Sequence, residues 1–425
     1  MANSSVREQL VARSLTARYN LFVSLGSALA VVGAILFVVY ARGEQSDRAW
    51  HLFHVNWVYF TGLTGGSFAF VAVQKITNAK WSGLVIRFAE AAPFFFFPVS
   101  LVGFLLIFTV GYHHIFPEMT GIGLGHGKEL WLSHGFMFGR LAIGLAALYY
   151  VGFSLVKADL VPDLYEVKGS VSDGRRALYD RWTEGFDASP EGRARHDARI
   201  RRLAPIYVVI YSLVFTMVAF DTMMALQPHW FSNLFGGWYF MGSFLGAHTL
   251  LALMMLYGRK EIGIAEYISP KQQHDLGKLV FGFSVFWTYL MWAQFLVIWY
   301  GNLPEETGFV FARLWGEWRP IGSAVFLGMF VIPFIGLLGV APKKSAVALG
   351  LFTAISLSAL WLERYLMVLP SVTKEAGPVF GMPEVGSTIA FLGLFLLCYG
   401  YFGRTFPMVS PRLAMITLDK ERGHH

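Results

Sequence analysis

The stretch PIYVVIYSLVFTMVAFDTMMALQP, residues 205–228, decides the fold class. From Pro205 to Phe220 it is apolar at nearly every position, and its only charge is Asp221. A hydrocarbon core about 30 Å thick needs about 20 such residues of helix to cross it. A carboxylate at the centre of such a helix costs about 2.5–3.5 kcal/mol on insertion scales, and less near an end. Asp221 therefore needs a reason to be there.

The rest of the chain repeats the apolar pattern. Of its 425 residues 55% are hydrophobic and only 14% charged, against about 25% charged in an ordinary soluble protein. Ten segments are long enough to span: 21–41, 52–74, 88–112, 131–156, 205–226, 237–257, 279–300, 320–341, 345–368 and 386–403. None alternates with the period of a strand, which excludes a β-barrel. The first segment is too long for a signal peptide and lacks a small-residue cleavage site before Arg42. The sequence predicts an all-α integral membrane protein of ten transmembrane helices.

Basic residues set the expected orientation. With the N-terminus inside, 26 Lys/Arg fall on that side, including Arg18, Lys75, Arg87 and the long 157–204 loop, and seven fall outside, including Arg364 and Lys374. The positive-inside rule then places both termini in the cytoplasm. The net charge of +7 is thereby explained by topology and an anionic lipid surface, not by nucleic acid. The 157–204 loop reads as helix, turn, helix without enough apolar residues for a core of its own. The single cysteine, Cys398, lies within the last segment. An iron–sulfur cluster takes four ligands and covalent haem takes a C-x-x-C-H motif, so this chain is expected to carry neither.

An internal repeat organises the spans. Tyr59-Phe60-x-Gly62-x-x-x-Gly66 in the second is matched by Tyr239-Phe240-x-Gly242-x-x-x-Gly246 in the sixth. Three spans later Asp221 precedes Pro228 by seven residues, and Glu363 precedes Pro370 by the same interval. Spans 2–5 and 6–9 thus read as two parallel four-helix bundles flanked by spans 1 and 10. The units are 1–50 (lead-in and span 1), 51–230 (first bundle), 231–372 (second bundle) and 373–425 (span 10 and tail). G-x-x-x-G alone means only close helix packing.

Ionisable residues inside spans are candidates for function, each with a structural alternative. Asp221 and Glu363 lie near the outer ends of their spans, where they could exchange protons. Arg364 neighbours Glu363, but adjacent helical positions diverge by about 100°, so it need not be the partner. Arg140 needs a counter-charge, for which Asp221 and Glu90 are the candidates. Glu90 lies near the inner end of span 3, ahead of Pro93 and Pro98, which each free a backbone carbonyl. His134 opens span 4 and His248 lies mid-span as a relay candidate. His54 and Asn56, with His51, open span 2 on the outer side and could hydrogen-bond a ligand headgroup. His134 and His248 stand at different depths, which argues against a haem held between them. The outer loop WYGNLPEETGF, 299–309, places Glu305 and Glu306 where a partner or a leaving proton would meet them.

WVYFTGLTGGSFAF in span 2, IWYGNLPEETGF after span 7 and the paired bundles resemble the NrfD-like (polysulfide reductase NrfD) membrane subunits. With ten spans the chain is most similar to the smaller NrfD-like subunit of alternative complex III, a bacterial quinol:cytochrome c oxidoreductase. The resemblance covers nearly the whole chain. It implies a multisubunit complex in the bacterial cytoplasmic (inner) membrane. Expected partners are a larger NrfD-like subunit, an iron–sulfur subunit, and multihaem and monohaem cytochrome c subunits. It also implies quinol oxidation near the outer face and proton pathways through both NrfD-like chains. The resemblance places the quinone/quinol site on the larger homologue or, carried over to this chain, on His54, Asn56 and Asp221, and it implies a proton relay through Asp221, Glu363, His248, Glu90, Arg140 and His134. Electrons would leave to centres on other chains. A secondary transporter and a purely structural anchor are the other readings; transporter repeats are commonly inverted, whereas this one is parallel.

Overall fold

The structure, a computed structural model, describes residues 2–15, 19–118, 123–373 and 377–423. Arg18 and Lys374, counted above for topology, lie outside these. Among the described residues every regular element is a helix. We number those used below in chain order: α1 Ala2–Ser14, α2 Asn20–Ala41, α3 Ser46–Ile76, α4 Ile86–Thr109, α5 His134–Val167, α6 Asp173–Thr183 and α7 Pro190–Thr222. There follow α8 Phe235–Glu261, α9 Pro270–Gly301, α10 Pro304–Leu314, α11 Gly316–Gly336, α12 Ala346–Val372, α13 Met382–Thr405 and α14 Pro411–Arg422.

Among the described residues nine helices are long and apolar enough to cross a membrane: α2, α4, α5, α7, α8, α9, α11, α12 and α13. α3, which carries segment 52–74, is not among them. Its glycines, threonines, His54 and Asn56 dilute its hydropathy. The burial of α3 explains this: nearly every residue from Ala49 to Gln74 is buried inside the protein. A helix surrounded by other helices is free to present small and polar groups to its neighbours.

The two glycine motifs meet each other. A Cβ added at Gly66 would stand 2.4 Å from the Ser243 carbonyl oxygen of α8, and one at Gly246 would stand 2.6 Å from the Leu63 side chain of α3. Only glycine permits so close an approach. Tyrosines of both motifs then bond across to other helices, Tyr239 Oη donating to the Val58 carbonyl and Tyr59 Oη to that of Leu357, each at 3.0 Å. α2 packs along α13 in the same way, a Cβ at Gly33 falling 2.3 Å from the Ala390 nitrogen. Its other face exposes Val31, Val32, Ile35 and Val39.

Prolines break α4 as the sequence implies. Between Ala92 and Ser100 it passes through a 3-10 turn and a wide π turn. Trp57 of α3 donates to the Ser100 carbonyl at 2.8 Å and Thr61 bonds the Ser100 hydroxyl at 2.6 Å, fixing the irregular segment.

Segment 157–204 is no independent unit. α5 continues through its first quarter to Val167 and α7 begins within it at Pro190. α6 lies between them and ties to the end of α13, Tyr179 donating to the Thr405 carbonyl. Both terminal helices reach the same end of the molecule. Arg7 pairs with Glu166 at 2.9 Å, Ser269 bonds Glu421 at 2.8 Å, and Thr417 donates to the Lys80 carbonyl. We call this the terminal end and the opposite one the distal end.

The outer loop expected at 299–309 is largely helical. Asn302, at φ 46°, stops α9, and Pro304 at the first helical position starts α10. Glu305 and Glu306 occupy the first turn of α10, where carboxylates complement the helix dipole. Trp230 stacks on Phe309 at 3.7 Å and donates to the Glu306 carbonyl, holding α10 against the bundle.

Candidate functional site

Among the described residues, three buried clusters of ionisable side chains hold the candidates, two at the distal end and one at the terminal end. The first joins α5 to α7. Arg140 Nε donates to Asp221 Oδ2 at 2.7 Å, and its Nη2 bonds Oδ1, so the carboxylate is gripped by both oxygens. Arg140 Nη1 donates to the Trp131 carbonyl at 2.6 Å, and the guanidinium lies over the Trp131 ring at 4.1 Å. Asp221 is wholly buried. Of the two counter-charges foreseen for Arg140, the partner is Asp221; Glu90 belongs to another cluster.

His54 comes to the same place from α3. Its Nε2 bonds the Thr222 carbonyl at 2.6 Å, one residue beyond Asp221, while its Nδ1 is buried without a partner. That carbonyl belongs to the last turn of α7, where intrahelical donors have run out. Asn56 turns away. Two positions along a helix is about 200°, so it faces α12 and α13, accepting from Trp361 Nε1 at 2.9 Å and donating to Leu52 of its own helix and to Thr388. His54 and Asp221 thus share a site that Asn56 does not. His51 bonds the His114 carbonyl. His134 bonds the Phe108 carbonyl at 2.6 Å and stacks on Tyr112 at 3.9 Å.

The second cluster lies between α12 and α8. Arg364 does pair with its neighbour Glu363, Nη1 to Oε2 at 2.8 Å. The guanidinium lies over the Tyr239 ring at 4.3 Å, and its Nη2 donates to the Tyr239 carbonyl at 3.2 Å. Arg364 therefore lies buried inside the protein, not on the outer surface where the charge count placed it. Glu363 lines a cavity of about 280 Å³ together with Trp238, Trp287, Phe309, Arg313 and Met367. The walls are apolar, yet Trp238 Nε1, Trp287 Nε1 and Arg313 Nε have no hydrogen-bond partner. Arg313 donates to the carbonyls of Phe309 and Met367 at 2.9 and 2.8 Å, and burial pushes its guanidinium well below its usual value.

At the terminal end Arg87 and Glu90 of α4 meet Asp159 and Asp163 of α5. Arg87 bonds both Glu90 and Asp163 and lies 3.5 Å from Asp159. Asp159 is also held by Lys75 of α3 at 2.6 Å and Arg412 of α14 at 3.2 Å. Sequence reasoning singled out Glu90 alone and treated the other charges as loop or topology residues. The available signal was helical spacing, since Arg87 and Glu90 are three apart and Asp159 and Asp163 four apart, each pair on one face.

His248 joins none of these. Its Nδ1 bonds the Phe244 carbonyl of its own helix at 2.7 Å, and the rings of Phe70, Phe244 and Phe283 pack around it at 4.5–5.2 Å.

Among the described residues no group of three or more His, Cys, Asp or Glu side chains is arranged to hold a metal ion. Comparison with family models found no match, and comparison with curated proteins found none either.

Proposed function

We propose that this chain is a membrane subunit of a quinol-oxidising complex in the bacterial cytoplasmic membrane and that it handles protons within that complex. The observation that carries the reading is the placing of its buried charges. Asp221 with Arg140, and Glu363 with Arg364, lie at one end of the bundle, and the Glu90 cluster lies at the other. A charge inside a membrane protein is costly enough to mark function by default. Carboxylates near both faces are what a transmembrane proton route requires.

In this reading α3 is the tenth span, the terminal end faces the cytoplasm, and the two glycine motifs belong to parallel bundles. His54 and Asp221 are the groups available to a quinol headgroup on the distal side. The resemblance of WVYFTGLTGGSFAF and IWYGNLPEETGF to the NrfD-like subunits supplies the redox context. Iron–sulfur and haem centres on companion chains would take the electrons, and this chain would supply apolar surface, bases and proton route.

Purification from native membranes in mild detergent tests the assignment. Copurifying iron–sulfur and cytochrome c subunits with quinol-oxidising activity support it. A solitary chain, or one that catalyses solute exchange, overturns it.

A further inference from the structure

Among the described residues three arginines are exposed by 2% or less: Arg87, Arg364 and Arg313. The first two hold carboxylates, Arg87 those of Glu90 and Asp163 and Arg364 that of Glu363. Arg313, on α10, holds none. It donates to the backbone carbonyls of Phe309 and Met367 and to the Ser371 hydroxyl, and its Nε has no acceptor. Carbonyls and a hydroxyl orient the guanidinium without neutralising it. A buried charge is costly unless it is paired, so this one lacks a counter-ion.

Arg313 lines the cavity of about 280 Å³ between α8, α9, α10, α11 and α12. Glu363 lines it too, but its charge is met by Arg364, which leaves one positive charge in excess. Three donors of the lining residues lack acceptors: Arg313 Nε, Trp238 Nε1 and Trp287 Nε1. The two indoles lie side by side, their ring centroids 5.7 Å apart. Water in so apolar a cavity finds few partners. An anionic oxygen supplies both the missing acceptor and the missing charge. Trp292 of α9 and Phe326 of α11 also line the cavity and are 52% and 38% exposed, so it reaches the apolar outer surface of the bundle between those helices.

We propose that this cavity binds an anionic amphiphile, with its carboxylate or phosphate head against Arg313 and its hydrocarbon chain leaving past Trp292 and Phe326. A neutral head would leave the guanidinium without its counter-charge. The site stands apart from the proton-handling reading, because Arg313 needs an anion whatever passes through the bundle.

Binding to the delipidated full-length chain in neutral detergent tests the proposal. Dibrominated stearate, whose bromines quench tryptophan on contact, is expected to quench saturably, and Trp287→Phe to remove part of that quenching. The corresponding dibrominated alcohol, with the same chain and no charge, is expected to bind at least about tenfold more weakly, the value of a charge-assisted hydrogen bond. Arg313→Gln is expected to weaken stearate binding by a similar factor. Because Arg313 also fastens α10 to α12, Val310→Phe serves as the second variant: Val310 lines the cavity, and the larger side chain is expected to block binding while Arg313 stays. Brominated phosphatidylglycerol against brominated phosphatidylcholine decides the source of the anion; preference for phosphatidylglycerol over stearate assigns a phospholipid phosphate, and the reverse a fatty carboxylate. Equal binding of stearate and the alcohol overturns the proposal. So does stearate quenching that Val310→Phe leaves unchanged, or a neutral quinone analogue that quenches saturably where neither anion does.

Discussion

Arg140 of α5 reaches across to α7 and holds both carboxylate oxygens of Asp221, with Nε 2.7 Å from Oδ2. The pair is asymmetric. Asp221 is wholly buried, whereas the Arg140 side chain keeps 14% of its surface exposed and has a second anchor in the Trp131 carbonyl. Removing one partner of a buried pair costs about 3–5 kcal/mol because the other charge is stranded. Arg140→Ala, which strands the carboxylate, is expected to lower the melting temperature more than Asp221→Ala, which leaves Arg140 a route outward. The double variant is expected to recover part of the loss. Equal effects that simply add would show that the two residues act independently.

The helix crossing at Gly66 gives a test of packing. Alanine there places a methyl group 2.4 Å from the Ser243 carbonyl, a backbone atom that can yield only if α3 and α8 separate. Overpacking of this kind costs about 1–3 kcal/mol. Gly139 of α5 has nothing within 4 Å of the same added atom. Gly66→Ala is expected to lower thermal stability in detergent, and Gly139→Ala to leave it unchanged or slightly raised through helix propensity.

His54 fastens α3 to the end of α7. His54→Ala deprives the Thr222 carbonyl of its partner and is expected to cost about 1–3 kcal/mol. His54→Gln can still donate and is expected to recover much of the stability. If quinol oxidation nevertheless stays low in His54→Gln, the imidazole has a role beyond fastening; if it returns to normal, the role is structural.

Arg195 and Asp187 form an ion pair at 2.7 Å on the terminal-end surface, with side chains 73% and 47% exposed. Exposed pairs contribute little, since solvent and salt screen them. Arg195→Ala is expected to leave the melting temperature within error at both low and high salt. A clear loss would mean that this surface is covered in the assembled complex.

Fold class was legible in the sequence because repeated apolar runs of membrane length have few stable settings besides a bilayer. The run containing Asp221 also announced a partner, since a buried arginine and a buried acid in one small protein seek each other. α3 was legible as helix, but its central position was not, because glycine and threonine look the same whether they face protein or simply weaken a span. The Arg87–Asp159–Asp163 cluster was hidden for a different reason. Asp159 and Asp163 follow the apolar part of α5, where a hydropathy reading passes into loop, and only the packing of α3, α4 and α14 around them buries them. Arg364 was misplaced for the converse reason: neighbours along a helix diverge, but a long guanidinium bends back to a carboxylate beside it.

The most direct test is the proton-to-electron stoichiometry of the purified complex in liposomes, wild type against Asp221→Asn. The substitution keeps shape and one hydrogen-bond acceptor while removing the ionisable group. The expected result is an assembled complex with impaired quinol turnover or fewer protons moved per electron. An assembled Asp221→Asn complex with normal turnover and normal stoichiometry would contradict the proton-handling role.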